Sequence, residues 1–411
     1  MRAPLYSASP AELFDLAVIE DPHPFFARLR ERHAISRIGE TGVHLVATWD
    51  LIEEALGREA DFSANLTGVL VRGGDGLPAP LELPVTGANQ VIATADEPDH
   101  AIHRALVQPR LTAPRIAALE RQMRVWAREA LDPWLSAGGG DFVPIAETVP
   151  ARALAHVLGL PDRDVAHFRR WAMMGGDMLG GDVTAARMTE FGAETVGMAA
   201  YLEGHLEAAR SRPQPGPDAP LLHALARGVE SGQIAVRDAI GIAIVMFGAG
   251  GESTAALIGS ATRLLAEDPV RADELRSRPD RIPRFVEESV RLEPPFKFHY
   301  RVVRRACELG GARLEPGDRL MLLWGSANRD PAHFAEPDAL RLDRRHPKQH
   351  LGFGRGAHFC IGAPLARLEA RVVLEELLAS TRRLGLRVDA PPVHTRSIFV
   401  RRPERLPLHV E

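Results

Sequence analysis

Apolar residues recur at helical spacing over 25–32, 49–57, 115–136, 145–158, 164–176, 186–210 and 234–266, which predicts a helix at each. Asp99 opens another. The last follows Cys360, with Leu365, Leu368, Val372, Val373 and Leu377 on its repeating positions. Ser9-Pro10-Ala11-Glu12 has the parts of a helix start: a capping serine, a first-turn proline and a glutamate returning to the cap. Short apolar runs at 34–38 and 43–48 flank 39–42 as a hairpin. Residues 301–303 and 319–323 read as strands, with Glu315-Pro316-Gly317-Asp318 as a turn, and 397–400 reads as a strand near the end of the chain. Residues 63–95, rich in glycine and proline, read as one long loop. Arg212-Pro213-Gln214-Pro215-Gly216-Pro217 is a surface connector.

Composition changes this picture little. The 411 residues are 45% hydrophobic, ample for a large core, and length alone would favour two domains. A formal charge of −4 gives no ground for nucleic-acid or membrane partners. Lys297 and Lys348 are the only lysines. Cys307 and Cys360, the only cysteines, have no CxxC spacing, which suits a reducing cytoplasm. The start, Met1-Arg2-Ala3-Pro4-Leu5, leads into no apolar signal core. The longest apolar run, 239–251, is too short to span a bilayer and ends at Glu252, so it predicts a buried core helix.

The candidate chemistry is concentrated in Phe353-Gly354-Arg355-Gly356-Ala357-His358-Phe359-Cys360-Ile361-Gly362. Gly354 and Gly356 permit a tight turn that delivers Cys360 to a helix start, with Pro364 in the first turn. Free backbone N–H groups and the helix dipole there favour thiolate, the form that binds iron. A second focus is Ala249-Gly250-Gly251-Glu252-Ser253-Thr254, inside the longest helical pattern. Each helical glycine costs about 1 kcal/mol against alanine, so a small-residue patch beside an acid and two hydroxyls needs a reason. A ligand lying against the helix is one, and hydroxyls can bend it by bonding backbone carbonyls. His100 and Arg104 share a helical face, as do Glu288 and Arg291. Four glycines and three methionines in 171–181 make that stretch adaptable.

The pattern Phe-Gly-x-Gly-x-His-x-Cys-x-Gly resembles the haem-binding signature of the cytochrome P450 family. The distal pattern resembles its A-G-x-[DE]-T motif, with Ser253 where threonine is usual. His100/Arg104, Glu288/Arg291 and Arg301 follow in the family's order, and Ala327-Asn328-Arg329-Asp330-Pro331 resembles the loop expected there.

The resemblance implies one mainly α-helical domain over 1–411 with a small β-rich portion, and haem b (iron protoporphyrin IX) between the long helix and the Cys360 loop. Cys360 would be the axial ligand and Phe353 its neighbour, while His100, Arg104, Arg301 and His358 would hold the propionates. Glu252, Ser253 and Thr254 would deliver protons. Glu288 and Arg291 would be structural, and 63–95 and 171–181 would frame the substrate's entry. Met173, Met174, Val245, Ala249, Phe296, Phe298 and Phe399 are the candidate substrate contacts. The implied activity is monooxygenation of a small to medium, largely apolar compound with O₂. The two electrons would come from a ferredoxin and its reductase, docked on Arg104, Arg110, Arg355 and Arg367. Met246-Phe247-Gly248-Ala249-Gly250 and the tail from Arg401 to Pro407 also resemble members that couple cyclic dipeptides. A haem sensor and a peroxide-driven enzyme are further alternatives, against which the acid–hydroxyl pair argues.

Overall fold

A sheet built around the predicted hairpin frames one side of the molecule. In the computed structural model, which describes residues 7–8, 12–83, 90–212, 214, 216 and 218–411, Ile35–Ile38 pairs antiparallel with Val43–Val46. Arg319–Leu322 joins that strand in parallel and pairs antiparallel with His299–Val303, placing Arg301 opposite Leu320. Ser7–Ala8 and Phe62–Ser63 complete six strands at the two edges. Alternation along His299–Val303 turns His299 and Arg301 to one face.

Helices dominate the rest, and most stand where the apolar spacing predicts them: His23–Arg32, Trp49–Gly57, Glu120–Ser136, Val143–Leu158, Val165–Leu179 and Ala185–Ser211. Ser9, Pro10 and Ala11 lie outside the described residues. The first described α-helix, Leu16–Glu20, is capped by Asp15, whose carboxylate accepts from Ala17 N at 2.9 Å. Pro213, Pro215 and Pro217 of the connector also lie outside them.

Two expectations are corrected. The 63–95 stretch is not one loop: Gly68–Arg72 and Pro78–Glu82 form an antiparallel ribbon, and 84–89 lie outside the described residues. Pro78 and Pro80 are tolerated because a two-stranded ribbon has an unpaired side where a missing N–H breaks no ladder bond. Conversely, 397–400 is not a strand and makes only the isolated bridge between Phe296 and Val400. Ser397 Oγ accepts the N–H groups of both Phe399 and Val400, at 3.1 and 3.0 Å, and curls the backbone away from a ladder.

The central helix runs from Val236 to Glu267 in three parts: Val236–Met246 as α-helix, Phe247–Glu252 as π-helix and Ser253–Glu267 as α-helix. The π turn coincides with the small-residue patch, where wider winding is sterically permitted. By length and apolar composition this span could cross a membrane; 56% of its most apolar window is buried in protein. It packs on Val143–Leu158, Ile282–Leu292 and Ala363–Ala379. Leu257, Ile258 and Leu265 join Val149, Leu154, Leu374 and Leu377 in the main core.

The glycines of 171–181 serve close packing rather than looseness. Helix Val165–Leu179 lies directly on the π turn. A Cβ on Gly176 would fall inside the Glu252 carboxyl group, and one on Gly251 would strike Ala172 Cβ.

Candidate active site

Gly354 and Gly356, at φ +67° and +75°, make the turn that carries Cys360 to the start of helix Ala363–Ala379. Cys360 N donates to Phe353 O at 2.9 Å and closes the loop. Arg367 lies over the Phe353 ring, 4.4 Å from its centroid, and pairs with Glu287 at 2.6 Å. The loop is anchored from below as well, because Asn328 Oδ1 accepts from Leu351 N at 2.7 Å. Burial pushes the Cys360 thiol up, against the pull of the Gly362 and Ala363 amides, Arg367 and Arg104. The helix-start amides are present as expected, yet desolvation outweighs them in this setting.

Cys360 lines a cavity of about 210 Å³ that is open to solvent. Met246, Ala249, Gly250, Ser253, Thr254 and Leu257 of the central helix form its facing wall. His100, Arg104, Arg301 and His358 gather at one edge. The His100 and His358 rings lie 4.1 Å apart at 30°. Burial, with Arg301 beside it, holds His358 down at about 4, so the ring is neutral near pH 7. His100 Nδ1 meets Glu97 Oε1 at 2.8 Å, whereas its buried Nε2 has no partner. Arg104 Nη1 donates to Phe359 O at 2.9 Å. Arg301 is buried, donates to Tyr300 O at 2.8 Å and is pushed down to about 10 by desolvation. Arg104, Arg301 and His358, which have no carboxylate hydrogen-bonded to them, and the free Nε2 of His100 fit an anionic group entering from the cavity.

The acid–hydroxyl motif divides. Ser253 is half-buried on the cavity wall and donates to Ala249 O, the backward bond expected of a hydroxyl in a bent helix. Thr254 is buried beside it and also reaches the wall. Glu252 is fully buried and does not line the cavity. Its carboxyl accepts from Gly176 N at 2.6 Å and from Arg402 Nε at 2.9 Å, and Arg402 Nη2 reaches Asp177 at 3.2 Å. Two enclosed carboxyls share one guanidinium, so desolvation pushes Glu252 up to about 8. Arg402 was legible in the sequence only as part of a tail.

Of the candidate substrate contacts, Ala249 and Phe296 line the cavity; Val245, Phe298, Phe399, Met173 and Met174 do not. Phe399 stacks behind Phe296 at 4.6 Å, and Phe298 turns edge-on to Tyr300 at 5.1 Å within a separate core. Val245 and Met174 pack with the main core, and Met173 is half-buried off the cavity wall. Reasoning from the sequence missed Ile92, Leu257, His299 and Trp324, which do line it. The period-two relation of His299 to Arg301 was the available signal for one of them.

Glu288 and Arg291 form a fully buried two-bond pair at 2.7 and 2.9 Å, and Arg291 donates further to the carbonyls of Asn328 and Ala339. They lie outside the cavity and fasten the segment leading to the Cys360 loop.

A helical fold with a half-buried cysteine facing a small-residue helix across one cavity defines the haem-thiolate class. The comparisons agree: the family model for Cytochrome P450 matches residues 280–408. Cytochrome P450 144 of Mycobacterium tuberculosis is 39% identical over 409 residues, covering 97% of this chain and 91% of that protein. The crystal structure of CalO2 superposes with a TM-score of 0.85 at 27% identity, covering 98% of this chain and 99% of that one. CYP109E1 from Bacillus megaterium, solved in complex with testosterone, gives 0.83 at 25%, covering 96% and 98%. The chain belongs to the cytochrome P450 family and is a P450 monooxygenase, an oxidoreductase.

Proposed function

We propose that the chain, one domain over 1–411, binds haem b in this cavity and oxidises a small to medium, largely apolar compound. The observation that carries the reading is the opposition of Cys360 to Ser253 and Thr254 across one cavity, with the unpartnered Nε2 of His100 at its edge. When bound, the haem activates O₂ and transfers one oxygen atom to substrate. Cys360 holds its iron, in a setting whose enclosure disfavours a bare thiolate and suits one bonded to a cation. Phe353 and Arg367 shield the sulfur, and His100, Arg104, Arg301 and His358 hold the propionates. Met246, Ala249, Leu257 and Phe296 keep the reacting volume apolar and largely dry. The testosterone bound by CYP109E1 is of that apolar kind.

Proton supply is divided between a store and a wall. Glu252 carries the proton near neutrality, and Ser253, with its own hydrogen committed to Ala249 O, turns lone pairs to the cavity. Electrons come from a ferredoxin and its reductase. Of the arginines expected to dock them, Arg110 and Arg367 are held within the fold, and Arg104 is tied to Phe359 O. Arg355 remains half exposed although paired with Glu53, beside the exposed Phe359. The unpaired cysteines suit the cytoplasm in which we place the protein. The tail arginines that suggested cyclic-dipeptide coupling bind Glu293 and Glu252 instead, and so lend that reading no support.

The test is turnover of a compound that shifts the haem spectrum, with NADPH, ferredoxin and reductase. Product carrying one atom from ¹⁸O₂ is the expected result, and binding without product would leave a sensor. Arg301→Ala should release haem more readily while keeping the thiolate spectrum; unchanged retention would remove Arg301 from the propionate site.

A further inference from the structure

One ring nitrogen on the cavity wall is left without a partner by the fold. Trp324 Nε1 donates to His299 Nδ1 at 2.6 Å. An indole N–H can only donate, so Nδ1 must accept and the proton of the neutral ring sits on Nε2. Burial, then Arg301 and His358, hold the His299 pKa at about 3, so the ring stays neutral. Phe296 and Phe399 stand edge-on to the imidazole at 5.4 and 5.6 Å and fix its plane. His299 lines the cavity, and no described residue accepts from Nε2.

We propose that His299 is a specificity-determining residue, presenting Nε2–H to an uncharged acceptor oxygen, a ketone or amide carbonyl, on the substrate. The inference rests on the monooxygenase reading above. Trp324 is the positioning residue: it locks the tautomer that makes Nε2 the donor. A ligand that expels water without supplying an acceptor leaves this N–H unpaired, which penalises it against one that does. The carboxylate of a haem propionate beside Arg301 offers the same acceptor chemistry from another source, and the test separates the two.

Aryl imidazoles bind haem iron through their own nitrogen and so enter the cavity whatever its wall prefers. The holoenzyme is titrated, by its Soret shift, with the 3- and 4-acetyl isomers of 1-phenylimidazole and with their ethyl counterparts, which exchange a carbonyl for a methylene. At least one acetyl compound should bind about tenfold tighter than its ethyl partner. That ratio should fall to near one in His299→Phe, survive in part in His299→Gln and shrink in Trp324→Phe, where the proton is free to move to Nδ1. Equal affinity within both pairs in the unaltered enzyme overturns the proposal, as does an unchanged ratio in His299→Phe. Weakened haem retention in His299→Phe, with the acetyl preference unchanged in the haem-bound fraction, would assign Nε2–H to a propionate and overturn the proposal. Absence of any nitrogen-bound Soret shift would sink the monooxygenase reading itself, and this proposal with it.

Discussion

Two cysteines, similar in sequence context only by being unpaired, stand in very different places. Cys360 ends a glycine turn and faces the cavity, whereas Cys307 lies half-buried in the short strand Cys307–Leu309. Cys360→Ala should therefore lose the red-shifted Soret band of the ferrous–CO complex and Cys307→Ala should keep it; the reverse pattern would reassign the ligand. The hydroxyls are separable in the same way. Ser253→Ala should keep substrate binding but divert reducing equivalents to peroxide, and Ser253→Thr should be tolerated. Glu252→Gln should slow turnover by removing the ionisable store. Product and peroxide per NADPH are the measurements. Uncoupling in Thr254→Ala but not in Ser253→Ala would move the relay one residue along the helix.

Contact between the π turn and helix Val165–Leu179 is where element and chemistry meet. Gly176→Ala should cost about 1–3 kcal/mol, because its methyl group has nowhere to go but the Glu252 carboxyl; an unchanged melting temperature would show that the two helices separate easily. Stability should also carry the signature of Glu252. Burial raises its pKa from the ordinary 4.5 to about 8 in the fold, so its contribution is complete below about 4.5 and is lost as pH rises through 8. Relative to Glu252→Gln, the unaltered protein should become less stable between about pH 5 and pH 8, read by urea unfolding. Parallel pH profiles would mean that no extra proton is held.

Much of this was legible beforehand. The glycine turn before Cys360, the helix periods and the Arg301 strand carry their own local signals. The direction in which Glu252 points does not, because it depends on Arg402, 150 residues away in sequence. Phe298 and Phe399 stand off the cavity wall; apolar character alone cannot separate a wall from the layer behind it. Prolines in 78–82 hid a ribbon, since their usual reading as breakers fails where one side of a strand needs no partner.

Across the whole molecule, distant segments are tied by buried charge. Glu293, at the end of helix Ile282–Leu292, is reached by Arg401 from the tail, Arg263 from the central helix at 3.1 Å, and Arg329 and His23 at 3.7 and 3.6 Å. Despite burial, Arg401, the His23 hydrogen bond and Arg263 hold its carboxyl well below the usual range. Glu293→Ala should cost about 3–5 kcal/mol, because it strands several cations inside; denaturant unfolding would measure this, and a loss under about 1 kcal/mol would show that solvent reaches the cluster. Arg401 and Arg402 serve this cluster and the Glu252 site respectively. On the ribosome, both carboxylates are made more than a hundred residues before the tail arginines that reach them, as the positions 252, 293, 401 and 402 show. Neither buried acid has its tail partner until Arg401 and Arg402 have left the exit tunnel. The helical core can begin to assemble earlier, but its two buried acids gain their last cations only when the tail segment arrives.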